Sequence, residues 1–169
     1  MAICEGLVKE IDQEAATTKR VLERVPSDRL AWKPHPKSMS LGELALHVAS
    51  IPGAIASWAI TDEMDFAGSG RPEPPKSTDE IMTAHAQSVA KAKDVAMQLG
   101  DDGLQREWHG KMNGATLFKM PKIALYRSVV LNHWYHHRGQ LSVYLRLLDV
   151  PVPPIYGPSA DENPFAARV

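Results

Sequence analysis

Cysteine is nearly absent from this 169-residue chain, with Cys4 standing alone. A single thiol excludes an intrachain disulfide framework and every zinc site built on paired cysteines, and it fits a reducing, cytosolic setting. An excess of charge of either sign is also missing: 19 Lys+Arg face 20 Asp+Glu, for a net charge of −1. Binding nucleic acid or an anionic membrane surface draws on a basic face that displaces counterions, and this composition does not supply one. No run of about 18 apolar residues occurs, so no transmembrane helix is predicted. The early acids Glu5, Glu10, Asp12 and Glu14 are unlike a signal or transit peptide. Several catalytic signatures are lacking as well. There is no G-x-S-x-G, no P-loop, no G-x-G-x-x-G and no H-E-x-x-H, which sets aside serine hydrolase, NTPase, Rossmann and zincin readings. Glu-x-x-His pairs on inward helix faces, the mark of ferritin-like di-iron sites, do not occur either.

With 44% hydrophobic residues, a chain of this length buries roughly 70% of its unfolded surface and needs neither disulfide nor structural metal to hold one domain over residues 1–169. Any metal would then be functional. Four long segments carry helical periodicity between Pro/Gly-rich connections, and no period-two pattern is long enough to demand a sheet, so the fold class is all-α. The first segment, residues 2–24, repeats Leu7, Ile11, Ala15, Thr18 and Val21 and stops before Pro26. The second opens on the capping box Ser40/Glu43 and reaches about residue 60, with a bend expected at Pro52. A Gly/Pro-rich linker follows, residues 62–76. The third segment opens at Ser77 or Thr78 and ends at Gly100. The long connection 101–119 has room for a short hairpin around EWHGKMNGATLF, and a loop of that length is expected to cover something. The fourth helix begins near Pro121 and runs to Leu148, before a Pro-rich tail predicted to pack across the bundle as an extended segment.

Histidines occupy positions where a bundle helix places core residues. In the second helix the seam reads Leu44, His47, Ile51, Ala54, Trp58; in the fourth it reads Ile123, Tyr126, Val130, His133, His137, Gln140, Tyr144, Leu147. His133 and His137 are four apart, a spacing that puts two imidazoles on one helical face about 6 Å apart and suits chelation of one metal. Burying such a pair calls for a carboxylate, water or a cation to satisfy it. Exposed histidines at this spacing are often plain surface, but His47, midway along a second inward seam, raises the expectation of a three-imidazole site. His136 lies about 100 degrees off the seam and reads as a flanking residue. His85 reads as a satisfied core histidine; His35 and His109 read as solvated. Three neutral imidazoles without a thiolate suit Zn, Ni, Fe or Cu and leave coordination positions open, the catalytic pattern. Glu43, Asp161 and Glu162 are the carboxylates considered near the triad, and no general base is assigned.

The segment H133-W-Y-H-H137-R-G-Q, followed by a Val-Pro stretch, resembles the C-terminal signature of the DinB-like (YfiT-like) four-helix bundle proteins. Leu30-Ala31-Trp32-Lys33-Pro34 and Gly42-Glu43-Leu44-Ala45-Leu46-His47 are similar to that family's Trp-x-Pro and G-E-L-x-x-H segments. The resemblance covers nearly the whole chain. It implies an up-down-down-up bundle, one divalent metal (Zn, Ni or Fe) on His47, His133 and His137, and a homodimer. Relatives with assigned activity include thiol-dependent S-transferases and a mycothiol-dependent isomerase. The implied function is a metal-dependent enzyme, hydrolase or low-molecular-weight thiol transferase, acting on a small molecule in the cytoplasm, with Tyr135, Arg138 or Gln140 as orienting groups; the alternatives are a structural salt bridge for Arg138 and a hydrogen bond to a ligand histidine for Gln140. The alternative is a non-catalytic stress-response or binding scaffold whose metal site is structural or vestigial. No nucleic-acid or membrane partner is expected.

Overall fold

The computed structural model describes residues 2–68, 70 and 72–166. Positions 69 and 71 of the linker and 167–169 of the tail lie outside the described residues. Helix α1, Ile3–Leu22, buries Leu7, Ile11, Glu14, Thr18, Val21 and Leu22 on one stripe. Its first turn has no side-chain cap of its own; the Asp101 carboxylate instead accepts the N–H groups of Ile3 at 3.0 Å and Cys4 at 2.9 Å. That contact ties the start of the chain to the third helix and satisfies two otherwise unpaired donors.

Helix α2, Leu41–Trp58, starts on the predicted capping box, in which Glu43 N–H donates to Ser40 Oγ and Ser40 N–H to Glu43 Oε2. The helix runs through Pro52 without interruption. Ser88 of the next helix attends the site where Pro52 removes a backbone donor: its hydroxyl accepts Gly53 N–H at 2.7 Å and donates to the Ser50 carbonyl at 2.9 Å. Glycine is required there, because a Cβ on Gly53 would stand 2.7 Å from the Ser88 backbone. Helix α3, Thr78–Gln105, packs mainly on α2 and α1. It breaks where expected, at Gly100 with φ 59°, but regains one further turn before Gln105.

The fold is mostly helical, as expected, and a small three-stranded sheet adds to it, two of its strands forming the hairpin expected around EWHGKMNGATLF. Strand β1, Glu63–Asp65, opens the linker and pairs in parallel with β2, Glu107–Met112; β2 pairs antiparallel with β3, Ala115–Pro121. The hairpin turns on Asn113 and Gly114, both with positive φ, the signature of a tight two-residue turn. Asp65 locks it by accepting N–H groups from Asn113 and Gly114. Pairing across β2 and β3 slips near Gly110, where Leu117 is the extra residue, and the Phe118 ring covers Gly110. Trp58, Phe66, Trp108 and Phe118 join sheet to bundle, with the Trp108 indole donating to the Trp58 carbonyl at 2.9 Å.

The last helix, α4, spans residues 122–147 in three parts: an α-helical turn Lys122–Ala124, a π-helical stretch Leu125–Leu131 and an α-helical arm Asn132–Leu147. The π stretch changes which residues face inward. Tyr126, Val130, Trp134, Arg138, Leu141 and Leu145 are buried, whereas Gln140 and Leu147 of the predicted seam are exposed. His133 and His137 therefore lie half-buried at the edge of the apolar stripe and not at its centre. On α2 the same holds for His47, while Ala54 is exposed.

The buried charge on α4 is held by α1 and the tail. Arg138 meets the Glu14 carboxylate at 2.7 Å, Thr18 Oγ1 at 3.0 Å and Tyr156 Oη at 2.6 Å, with the rings of Tyr135 and Tyr156 against its guanidinium. The tail crosses the bundle as predicted, with Pro154 accepting from Arg20 and Val152 N–H reaching Asp161. Because removing one partner strands a buried charge, Glu14→Ala is expected to destabilise the protein by about 3–5 kcal/mol in denaturant unfolding. The double variant Glu14→Ala/Arg138→Met should recover most of that loss; equal destabilisation in both would contradict the role assigned to the pair.

Candidate metal centre

Two helices bring the three imidazoles together. His133 and His137 project from adjacent turns of α4, with ring centroids 4.5 Å apart, and their Nε2 atoms approach to 2.8 Å. His47 comes across from α2, its ring centroid 5.2 Å from that of His133 and 4.5 Å from that of His137. One nitrogen from each of the three lies within 4.8 Å of the others, so the trio could hold a metal ion.

The protons on these rings favour a cation between them. Gln140 Oε1 accepts from His137 Nδ1 at 2.7 Å, which leaves the His137 Nε2 lone pair facing His133. Two bare Nε2 atoms at 2.8 Å repel, so a proton or a metal must stand between them. With the proton on His133 Nε2, its Nδ1 is a bare and buried acceptor without a partner. A cation shared by the two Nε2 atoms removes their repulsion and leaves the proton to Nδ1, where the Val129 backbone carbonyl favours it, and the donor set fits a borderline transition metal.

Burial, and then the neighbouring imidazoles, hold the His47 pKa down at about 4. Burial also lowers His133 and His137. All three rings are neutral and competent as ligands at pH 7. His136 is exposed, its ring centroid 4.9 Å from that of His137, and it flanks the trio as expected. His85 is buried elsewhere, with Nε2 3.2 Å from the Ala15 carbonyl and its ring against Trp134.

The other residues considered from sequence separate into two groups. Gln140 is at the site through His137. Tyr135 and Arg138 are not: Tyr135 donates to Glu10 and Arg138 is spent on Glu14, on the α1 side of the helix. Asp161 and Glu162 pair with Arg146 and Arg24. Glu43, one turn before His47, shares a cleft of about 420 Å³ with His47 and His137. The cleft is walled by Met39, just before α2, by Leu46 of α2 and by Pro72 and Pro74 of the linker, which also contributes Glu73. Glu73 carried no signal in the sequence, because a carboxylate in a Pro-rich linker has no periodicity to mark where it points.

Known proteins resemble this chain in sequence and in fold. A sequence model of the DinB family matches residues 4–164. The chain belongs to the DinB family. It is 28% identical over 164 residues to the uncharacterized protein YrdA of Bacillus subtilis, covering 94% of this chain and 90% of that one. Its fold is similar to that of a DinB-like protein from Bacillus cereus, with TM-score 0.72 and 21% identity over 92% of this chain and 98% of the other. A DinB-like protein from Bacillus subtilis, YjoA, gives TM-score 0.68 and 21% identity over 89% and 96% of the two chains. Among the described residues, no helix is long and apolar enough to cross a membrane.

Two outcomes follow from the arrangement of the three histidines. Gln140→Leu removes the acceptor that orients His137 from an exposed position; metal affinity should fall about tenfold to a hundredfold while the melting temperature of the metal-free protein stays unchanged. The second concerns pH. His47 has a folded pKa of about 4 against an ordinary value of 6.5, so between these values the unfolded chain takes up a proton that the folded site refuses. Stability of the metal-free protein should therefore fall as pH drops from 6.5 to 4, by up to about 3 kcal/mol from His47 alone. Denaturant unfolding in the presence of a chelator should show a smaller drop in His47→Gln; an identical drop would contradict the assignment.

Proposed function

We propose that this DinB-family protein is a metal-dependent enzyme, of hydrolase or low-molecular-weight thiol transferase type, that holds one divalent transition metal (Zn, Ni or Fe) on His47, His133 and His137. The observation that carries the reading is the placement of three neutral imidazoles, with one nitrogen from each within 4.8 Å of the others, two of which, His47 and His137, line an open cleft of about 420 Å³. When bound, a metal with three imidazole ligands supplies a Lewis-acidic centre with open positions and lowers the pKa of a water or thiol that reaches it. The residues supply the rest. Gln140 fixes the tautomer of His137, the apolar walls at Met39, Leu46, Pro72 and Pro74 limit water around a bound small molecule, and Glu43 and Glu73 set the local charge.

A purely structural metal is a poorer fit, since the continuous apolar core from Leu7 to Leu145 is built without the three histidines. Family resemblance supports the further parts of the proposal: one domain, helices in up-down-down-up order, and a homodimer working on a small molecule in the cytoplasm. Elemental analysis of the purified, untagged protein should find about one transition-metal ion per chain, lost in both His47→Ala and His137→Ala, with the metal-free melting temperature moved by only a few degrees. Metal retained in both variants, or unfolding of both, would overturn a catalytic centre at these residues.

A further inference from the structure

We propose that the cleft selects a small molecule that carries a positively charged group, held between the Glu43 and Glu73 carboxylates while its reacting end meets the three imidazoles. The inference rests on the metal-enzyme reading above and names the substrate class for that same site. Two separate features meet here: a trio of imidazoles competent to hold a cation, with His47 and His137 lining the cleft, and a chamber whose charged lining groups, among the described residues, are both carboxylates.

Glu43 is ionised and rigid. The Ser40 N–H at 2.6 Å fixes its Oε2 and, as the largest cause, draws its pKa below the ordinary carboxylate value. The Ser40 N–H and the Lys33 ammonium both approach Oε2. A carboxylate offers about four acceptor positions, so Glu43 has capacity left for a donor in the cleft. Its place one turn before His47 on the same helix face puts it beside the imidazoles. Lys33, 3.5 Å from Oε2 and lining the adjoining chamber, offsets part of this charge, which makes Glu73 the carboxylate without a counter-charge among the described residues.

Glu73 stands between Pro72 and Pro74, whose rings restrict the backbone that carries it. It forms no ion pair with the described residues. Leu46 and Met39 beside the half-buried Glu43 lower the local dielectric there and strengthen attraction to a cation, while Glu73, exposed with its flanking prolines, adds charge of the same sign; both repel a phosphate or dicarboxylate. An ammonium here complements a site whose other pole, once metal is present, attracts a thiolate or similar anion.

The cleft continues past Glu43. A second chamber of about 330 Å³ shares Glu43 and Pro74 with the first and is lined by Leu30, Lys33 and Gly42. The two chambers together suit an elongated molecule with its charged group near the middle, between the metal end and an extension over Leu30.

The test uses cobalt(II)-loaded full-length protein and the thiolate-to-cobalt absorption band. The probes are thiocholine, its uncharged tert-butyl analogue and mercaptopropionate; the quaternary ammonium of thiocholine cannot itself ligate the metal. Thiocholine should half-saturate the band at a concentration about tenfold lower than the uncharged analogue, the size of one good ion pair, with mercaptopropionate weakest. Glu73→Gln should abolish most of that preference, and Glu43→Gln, which keeps an acceptor for the Ser40 N–H, should reduce it. Equal binding of the three thiols, or tightest binding of mercaptopropionate, overturns the charge selection and leaves the metal-enzyme reading standing. Full preference retained in Glu73→Gln overturns the assignment as well. Cobalt bound with no thiolate band from any probe overturns the thiol branch of the proposed function and this inference with it.

Discussion

The rotational phase of α4 governs the molecule. Trp134 and Arg138 face the core, and His133 and His137 each come one residue earlier, about 100 degrees round the helix. Burying the first pair therefore swings the second to the flank, toward α2 and His47. Residues spaced by four drift about 40 degrees per step in a regular α-helix, so the inward series Tyr126, Val130, Trp134, Arg138 would rotate away from the core. The π-helical stretch Leu125–Leu131 winds more residues into each turn and keeps them in line. π-helical insertions of this kind are frequent at functional sites, and here the insertion ends next to His133.

The buried charge enforces that phase. Arg138 is 1% exposed and finds its counter-charge on Glu14 of α1, while Tyr156 brings the tail over both. A helix that rotated by one residue would pull a guanidinium off its carboxylate, a penalty of several kcal/mol. The same arrangement keeps the histidines out of the apolar interior. They are half-buried, dry enough to stay neutral yet open to a cleft, which suits exchange of small molecules better than a sealed structural site does.

Much of this was legible in the residues. Ser40 and Glu43 announced the start of α2, Ser77 that of α3 and Gly100 its break, because caps are local chemistry. Asn113-Gly114 marked the hairpin for the same reason. The three histidines were legible through spacing on two helices. The α4 seam was misread after Val130, since a count in threes and fours assumes an α-helix throughout; the run of fours from Tyr126 to Arg138 was the available sign of the π stretch. That error put Gln140 and Leu147 on the inward face, where the structure leaves both exposed; Tyr135 and Arg138, considered as orienting groups, face α1 and the tail, and Arg138 takes the alternative role of a structural salt-bridge residue. Strand β1 is three residues held by long-range parallel pairing to β2, and Glu73 is positioned by two prolines, so neither leaves a periodic trace.

The central claim is that His47, His133 and His137 converge on one ion. X-ray absorption at the zinc edge of the zinc-loaded protein measures this most directly. The account predicts three imidazole nitrogens at about 2.0–2.1 Å, with the remaining position filled by a light atom from solvent. A spectrum without imidazole scattering, or one with a single imidazole among oxygen ligands, would contradict it.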